Sequence, residues 1–372
     1  ELLGSAPEEL RDHRAVAAAV RRSPPLLVGE EVRALARAVS ARSAGLGPLD
    51  PLLADPSVSE VMANGPGPVW IERHGRLELT DVRLSTRELD LLVERIVGPL
   101  GLRADRRSPM ADARLADGSR VNIVVPPLAV DGTCLTVRRF DPRPRALVEL
   151  CPPGVAEFLS WAVRTRRNLV VSGGTGAGKT TLLNALGAEL PAGERLVTVE
   201  DTAELRLPGD HVVRLEARPA SADGVGEVAL GDLVRNALRM RPDRIVVGEV
   251  RGAEAVDMLW AMNTGHEGSM TTCHANSAAD AIRRLELMVL GAGLDLPLHA
   301  VRDQLAASLD LVVHVGRLDA GRRGVTGVAE VLDPPQDRQR VRVLADRHGL
   351  HLLPDRPPRI DAGPPPDARW CS

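Results

Sequence analysis

The sequence predicts an α/β protein whose larger part is a mainly parallel sheet covered by helices, preceded by a smaller α+β domain. Two observations carry the prediction. Residues 155–316 alternate apolar strand-like runs with amphipathic stretches, the pattern of strands joined through helical crossovers. Residues 46–140 instead hold short β-type runs around one helical stretch: VWIERHGRLEL at 69–79, RVNIVVPPL at 120–128 and TCLTVRRF at 133–140.

Residues 1–45 read as one or two surface helices, AVAAAVRR and EEVRALARAVSARS, separated by Ser23-Pro24-Pro25. In the 46–140 domain the helix is expected at about 85–100. Ser85 and Glu88 form a capping box, and Leu89, Leu92, Val93 and Ile96 form its apolar stripe. His74-Gly75 and Asp117-Gly118 are turn signals. DPRPRALVELCPPG at 141–154 carries four prolines and is expected to be a linker. In the 155–335 domain, strands are expected at 168–172, 195–200, 211–217, 244–249, 268–275 and 309–316. Helices are expected at about 178–190, 228–239, 253–264 and 277–290. After 316, GVTGVAEVL and QRVRVLA are expected to form a terminal hairpin, and residues 336–372 to hold its remnant and, from 354, a Pro-rich disordered tail.

Composition narrows the function. Hydrophobic residues are 44% and charged residues 26% of 372 residues, and the net charge of −3 gives no cationic field for nucleic acid. No Tyr and only two Phe, Phe140 and Phe158, leave few platforms for stacking bases. Direct nucleic-acid binding is therefore not expected. Cys134, Cys151, Cys273 and Cys371 form no Cys-x-x-Cys pair, which argues against zinc and for free thiols in a reducing cytosol. No apolar run approaches the ~20 residues of a membrane span, and the first residues lack a signal-peptide pattern. Among 47 Lys and Arg residues, Lys179 is the single lysine. A chain that otherwise uses arginine keeps one ammonium here.

The reason lies in GGTGAGKT: Gly173, Gly174, Thr175, Gly176, Ala177, Gly178, Lys179 and Thr180, with Thr181 next. Its glycines turn backbone N–H groups toward a phosphate at a helix N-terminus. Lys179 can bridge β- and γ-phosphates as a compact charge that a planar guanidinium would not replace. Thr180 can ligate Mg²⁺. About 60 residues on, RIVVGEVRG ends a strand in Glu249, with Gly248 where an Asp is usual in a Walker B strand. Glu249 can polarise the attacking water or hold a metal-bound water. Arg241, Arg244 and Arg251 are either strand-flanking charges or γ-phosphate sensors. TVEDTAEL places Glu200, Asp201 and Glu204 at another strand end. There they orient the Mg²⁺ shell or the water, or Asp201 caps a helix with Glu204 at its third position. TTCHANS places His274 at the same edge, where an imidazole can report loss of γ-phosphate. Arg138 and Arg139 alternate on the strand at 133–140, and solvated charge is the simpler reading of both.

These four elements, in this order, resemble the secretion superfamily ATPases of type II and type IV secretion. Segments 55–83, 108–140 and 238–286 are similar to the CpaF-type, Tad pilus assembly branch. The resemblance implies a RecA-like P-loop NTPase domain and a PAS-like N-terminal domain, with nucleotide between them. It implies ATP and Mg²⁺ as cofactors, a homo-hexamer, and work on an inner-membrane platform protein from the cytoplasmic face of the membrane. Carried over to this sequence, it implies Glu249 as the Walker B glutamate, Glu200 and Glu204 in an acidic box, and His274 in a histidine box. It also makes Arg120 and Arg138 candidates to reach the phosphates from the N-terminal domain. The tetra-cysteine zinc insert of many type II secretion ATPases is missing, which favours the Tad or conjugative branch. Two alternatives remain: a P-loop kinase, for which no arginine-rich lid helix is visible, and a P-loop NTPase acting on nucleic acid, in conjugative transfer or as a helicase relative.

Overall fold

The computed structural model describes residues 45–139, 145–218, 226–318, 322–333 and 340–366. The N-terminal helical segment, except for its last residue, lies outside the described residues, as do residues 141–144 and 367–372. The chain divides into two compact units at residues 141–142.

The first unit comprises α1 (Asp50–Ala54), β1 (Val58–Asn64), β2 (Gly67–Arg73), β3 (Arg76–Leu84), α2 (Thr86–Val97), β4 (Met110–Arg114), β5 (Arg120–Val124) and β6 (Cys134–Arg138). Its strands form one sheet in the order β3-β2-β1-β6-β5-β4, with every neighbouring pair antiparallel. Strand alternation sends Val61, Ala63, Val69, Ile71, Val121, Ile123, Leu135 and Val137 to one face. There they bury against Leu89, Leu92, Val93 and Ile96 of α2. Ser85 caps α2 with the expected reciprocal bonds to Glu88. The single β-type run at 69–79 is in fact a hairpin. His74 and Gly75 both take positive φ, 50° and 76°, the geometry of a tight turn matching strand twist.

The second unit comprises α3 (Leu147–Leu150), α4 (Pro153–Arg164), β7 (Leu169–Gly173), α5 (Lys179–Gly187), β8 (Leu196–Glu200), β9 (Val212–Glu216), α6 (Leu230–Ala237), β10 (Arg244–Val250), α7 (Glu254–Asn263), β11 (Met270–His274), α8 (Ala278–Gly291), α9 (Leu298–Ser308), β12 (Leu311–Arg317), β13 (Arg323–Val331) and β14 (Val341–Asp346). The sheet order is β14-β13-β12-β7-β11-β10-β8-β9. From β12 to β9 all neighbours are parallel, while β13 and β14 are antiparallel additions. Helices cover both faces. Leu169 and Val171 bury with α3, α4 and α5, and Val170 between them buries with α6 through α9. Burial on both faces explains why β7 is continuously apolar. The unit is a RecA-like P-loop domain with a mainly parallel sheet. Among the described residues no helix is long and apolar enough to cross a membrane.

Two expectations need correction. The linker expected over 141–154 is, from Leu147 onward, part of the second unit: Leu147, Leu150 and Cys151 are buried in its core. Their apolar spacing outweighs the prolines, and Pro153 opens α4 at a first-turn position where a missing N–H costs nothing. The tail expected to be disordered from 354 is bound down as far as Gly363. Arg356 donates to Ala306 O at 2.7 Å and Leu309 O at 2.9 Å, and Arg359 pairs with Asp310 at 2.7 Å. Trp161 Nε1 donates to Gly363 O at 3.1 Å. Asp310 is fully buried and needs cationic partners there. The tail supplies them by charge rather than by hydrophobic burial.

Candidate functional site

The glycine-rich loop joins β7 to α5. Gly178, last before the helix, has φ 100°, a left-handed conformation glycine adopts without steric cost. It turns the chain so that α5 starts at Lys179 and its free N–H groups open toward the loop. Lys179 Nζ lies 3.2 Å from Gly173 O and 3.1 Å from Gly174 O. The ammonium is thus folded back over the loop that Gly174, Thr175, Gly176 and Ala177 complete. Thr180 is half-buried and Thr181 exposed on the first turn.

Strand order brings the other motifs to this edge. β11 pairs with β7 so that His274 stands opposite Gly173. β10 lies beyond β11, and its register slips between Val247 and Val250. That irregularity contains Gly248 and Glu249. Bulges of this kind re-aim side chains, and Thr272 Oγ1 braces this one by donating to Gly248 O at 2.7 Å. With parallel strands roughly 4.8 Å apart, His274 stands one strand from the P-loop strand, Glu249 two and Glu200 three. Arg251 Nη2 donates to Glu249 Oε2 at 2.8 Å and is largely exposed.

Glu200 is 3% exposed. Its carboxylate accepts the N–H of Glu204 at 2.8 Å and of Leu205 at 3.0 Å. Burial raises its pKa to about 7 against the pull of these bonds. No helix follows Asp201, so the capping expected there is absent. Glu200 itself pins the segment, helped by Glu216, which accepts the Ala203 N–H at 3.0 Å. A Cβ at position 248 would lie 2.9 Å from Glu200 Cγ. Glycine replaces the usual aspartate because the Glu200 side chain fills that space. Glu204 is half-buried and Asp201 exposed.

Arg244 is not a phosphate sensor. It begins β10, at the opposite end from Glu249, and is fully buried. It pairs with Glu194 at 2.6 Å and donates to Val163 O at 2.6 Å. Arg241 precedes the same strand start. In the first unit, Arg138 stands opposite Arg120 and Arg120 opposite Arg114 on three adjacent strands. Val121 and Val137 face the core, so this row lies on the other sheet face. Arg139, by contrast, ties its strand to β1, donating to Val58 O at 2.7 Å. Arg114 was missed, although pairing across the Asp117-Gly118 turn would have aligned it with Arg120. Thr272 and Glu216 left no such signal.

The family model described as type II/IV secretion system protein matches residues 42–341. A protein of Mycobacterium tuberculosis strain H37Rv named for conjugal transfer is 40% identical over 316 residues, covering 82% of this chain and 89% of that protein. The type IV secretion system protein VirB11 of Brucella suis is 35% identical over 303 residues, covering 73% and 84%. The X-ray structure of the Legionella pneumophila ATPase DotB aligns with a TM-score of 0.54 at 24% identity, over 75% of this chain and 78% of that one. That last likeness concerns the fold alone.

Proposed function

The chain belongs to the type II/IV secretion system protein family, and on that premise we propose that it is an ATP-hydrolysing motor of the CpaF-type Tad branch. It works as a homo-hexamer at the cytoplasmic face of the membrane and drives an inner-membrane platform protein in pilus assembly or secretion. The observation that carries the reading is the strand order β7-β11-β10, which lines Lys179, His274 and Glu249 along one edge. Open parallel sheets bind ligands at that edge.

In this reading the loop N–H groups of residues 173–178 and Lys179 hold the β- and γ-phosphates. Thr180, a half-buried hydroxyl on the first turn of α5, is the hard oxygen donor that suits Mg²⁺. Bound there, Mg²⁺ supplies charge neutralisation across the phosphates. Glu249 accepts a proton from the attacking water, and Arg251 fixes its carboxylate. His274 contacts the γ-phosphate. Glu200 and Glu204 shape the adjacent loop, and Arg120 and Arg138 supply cations from the N-terminal unit.

Phosphate release with Mg·ATP tests the reading. The wild-type chain should turn ATP over, and Lys179→Ala should neither bind nor hydrolyse it. Hydrolysis that survives in Lys179→Ala would refute the proposal. Light scattering at micromolar protein with an ATP analogue should give a hexamer. The conjugal-transfer name of the M. tuberculosis relative favours a second reading, action on DNA. Tight, salt-sensitive DNA retention in a filter assay would select it.

A further inference from the structure

The β12–β13 pair runs alongside the P-loop. β12 and β7 are in register through Val315 and Gly173, so Gly316 and Arg317 continue past the point where β7 becomes the loop. The packing there is close: a Cβ at Gly173 would lie 2.6 Å from Val315 O. β13 returns with Arg323 opposite Arg317. Arg323 is exposed, and its stem lies along Gly178, where an added Cβ would sit 3.8 Å from Arg323 Cβ and 3.9 Å from Cδ. The next residue faces away: a Cβ at Gly324 would lie 2.5 Å from Leu150 O. No atom of the neighbouring Arg322 lies within 4 Å of that added Cβ at Gly178.

The N-terminal dipole of α5, Lys179 and the stem of Arg323 thus meet at Gly178. A polyphosphate seated in the loop comes within reach of all three. A guanidinium also matches phosphate oxygens through paired N–H donors, which the ammonium of Lys179 does not. We infer that Arg323 is a further phosphate-binding residue of the nucleotide site, supplied by the same chain as the P-loop. This rests on the nucleotide reading above and adds a residue that the motifs do not contain.

Calorimetric titration with ATP, and separately with inorganic tripolyphosphate, tests it. Arg323→Ala should weaken both by about tenfold or more, the loss expected for a charge-assisted hydrogen bond. Arg323→Lys should recover part of the loss. Arg322→Ala removes the same charge from the adjacent exposed position and should stay within about twofold of wild type, less than the loss of one charge-assisted hydrogen bond. Unchanged affinities in Arg323→Ala would overturn the inference. So would a loss confined to ATP, which would place Arg323 on the base or ribose, or equal losses in Arg322→Ala. Melting curves without nucleotide check folding, and Arg323→Gln, closer in size, repeats the measurement if Arg323→Ala unfolds. If wild type itself binds no ATP, or Lys179→Ala binds it normally, the failure belongs to the nucleotide reading and not to Arg323.

Discussion

The two sheets present their chemistry in opposite ways. In the first unit, antiparallel strands keep one face on α2 and display Arg114, Arg120 and Arg138 in a row across the other. In the second, helices bury both faces, and polar groups emerge at the strand ends. Parallel direction puts every C-terminal end on one edge, so Gly173, Glu249 and His274 meet despite their distance in sequence. Antiparallel neighbours point opposite ways, and only cross-strand register aligns their side chains. Strand direction therefore decides whether a site is an edge or a face.

Substitutions can break or sharpen that contrast. The largest effect is expected at the edge: Glu249→Gln should keep ATP affinity and lower kcat by roughly 10³-fold, within the range for losing a general base. A normal rate of hydrolysis in that variant would remove the water-activating role. At the opposite end of the same strand, Arg244→Ala should cost about 3 kcal/mol in denaturant unfolding, because Glu194 loses a buried partner. The folded variant should bind ATP normally; weakened binding would mean that the two strand ends are not independent. In the arginine row of the first unit the pattern should invert. Arg120→Ala and Arg138→Ala should each lower kcat by about tenfold, with stability within about 0.5 kcal/mol of wild type. Unfolding of either would make the row structural.

A pH-dependent effect is expected at Glu200. Its pKa is about 7 folded against an ordinary 4.5. Between these values the folded state binds the extra proton, so this group's stabilisation is complete below about 4.5 and is lost as pH rises through 7. Glu200→Gln should flatten the pH dependence of stability in that window by at most about 1.4 kcal/mol per pH unit. An unchanged slope would mean that the carboxylate titrates normally.

Local patterns anticipated much of this. Apolar runs marked β7, β8, β10 and β12, because strands buried on both faces must be largely apolar. The P-loop was legible because its glycines and its lone lysine satisfy backbone and charge demands within eight residues. Other features were not legible. β1 and β4 were not anticipated, since half-buried strands mix polar and apolar residues. The tail from 354 looked disordered because its anchors are buried acids far away in sequence. Arg323 carried no compositional signal in a chain rich in arginine, and only β12 packing on Gly173 brings it to the loop.

By itself, then, the sequence determined the fold class, the strand and helix alternation from β7 to β12 and the phosphate loop, all set by local periodicity and backbone conformation. The tertiary structure alone decided which charges share a site. Strand order separates Arg244 from Glu249 along one strand, seats Glu200 in the space above Gly248, and lays the Arg323 stem along Gly178. Such contacts depend on which strands become neighbours, and no local pattern encodes that.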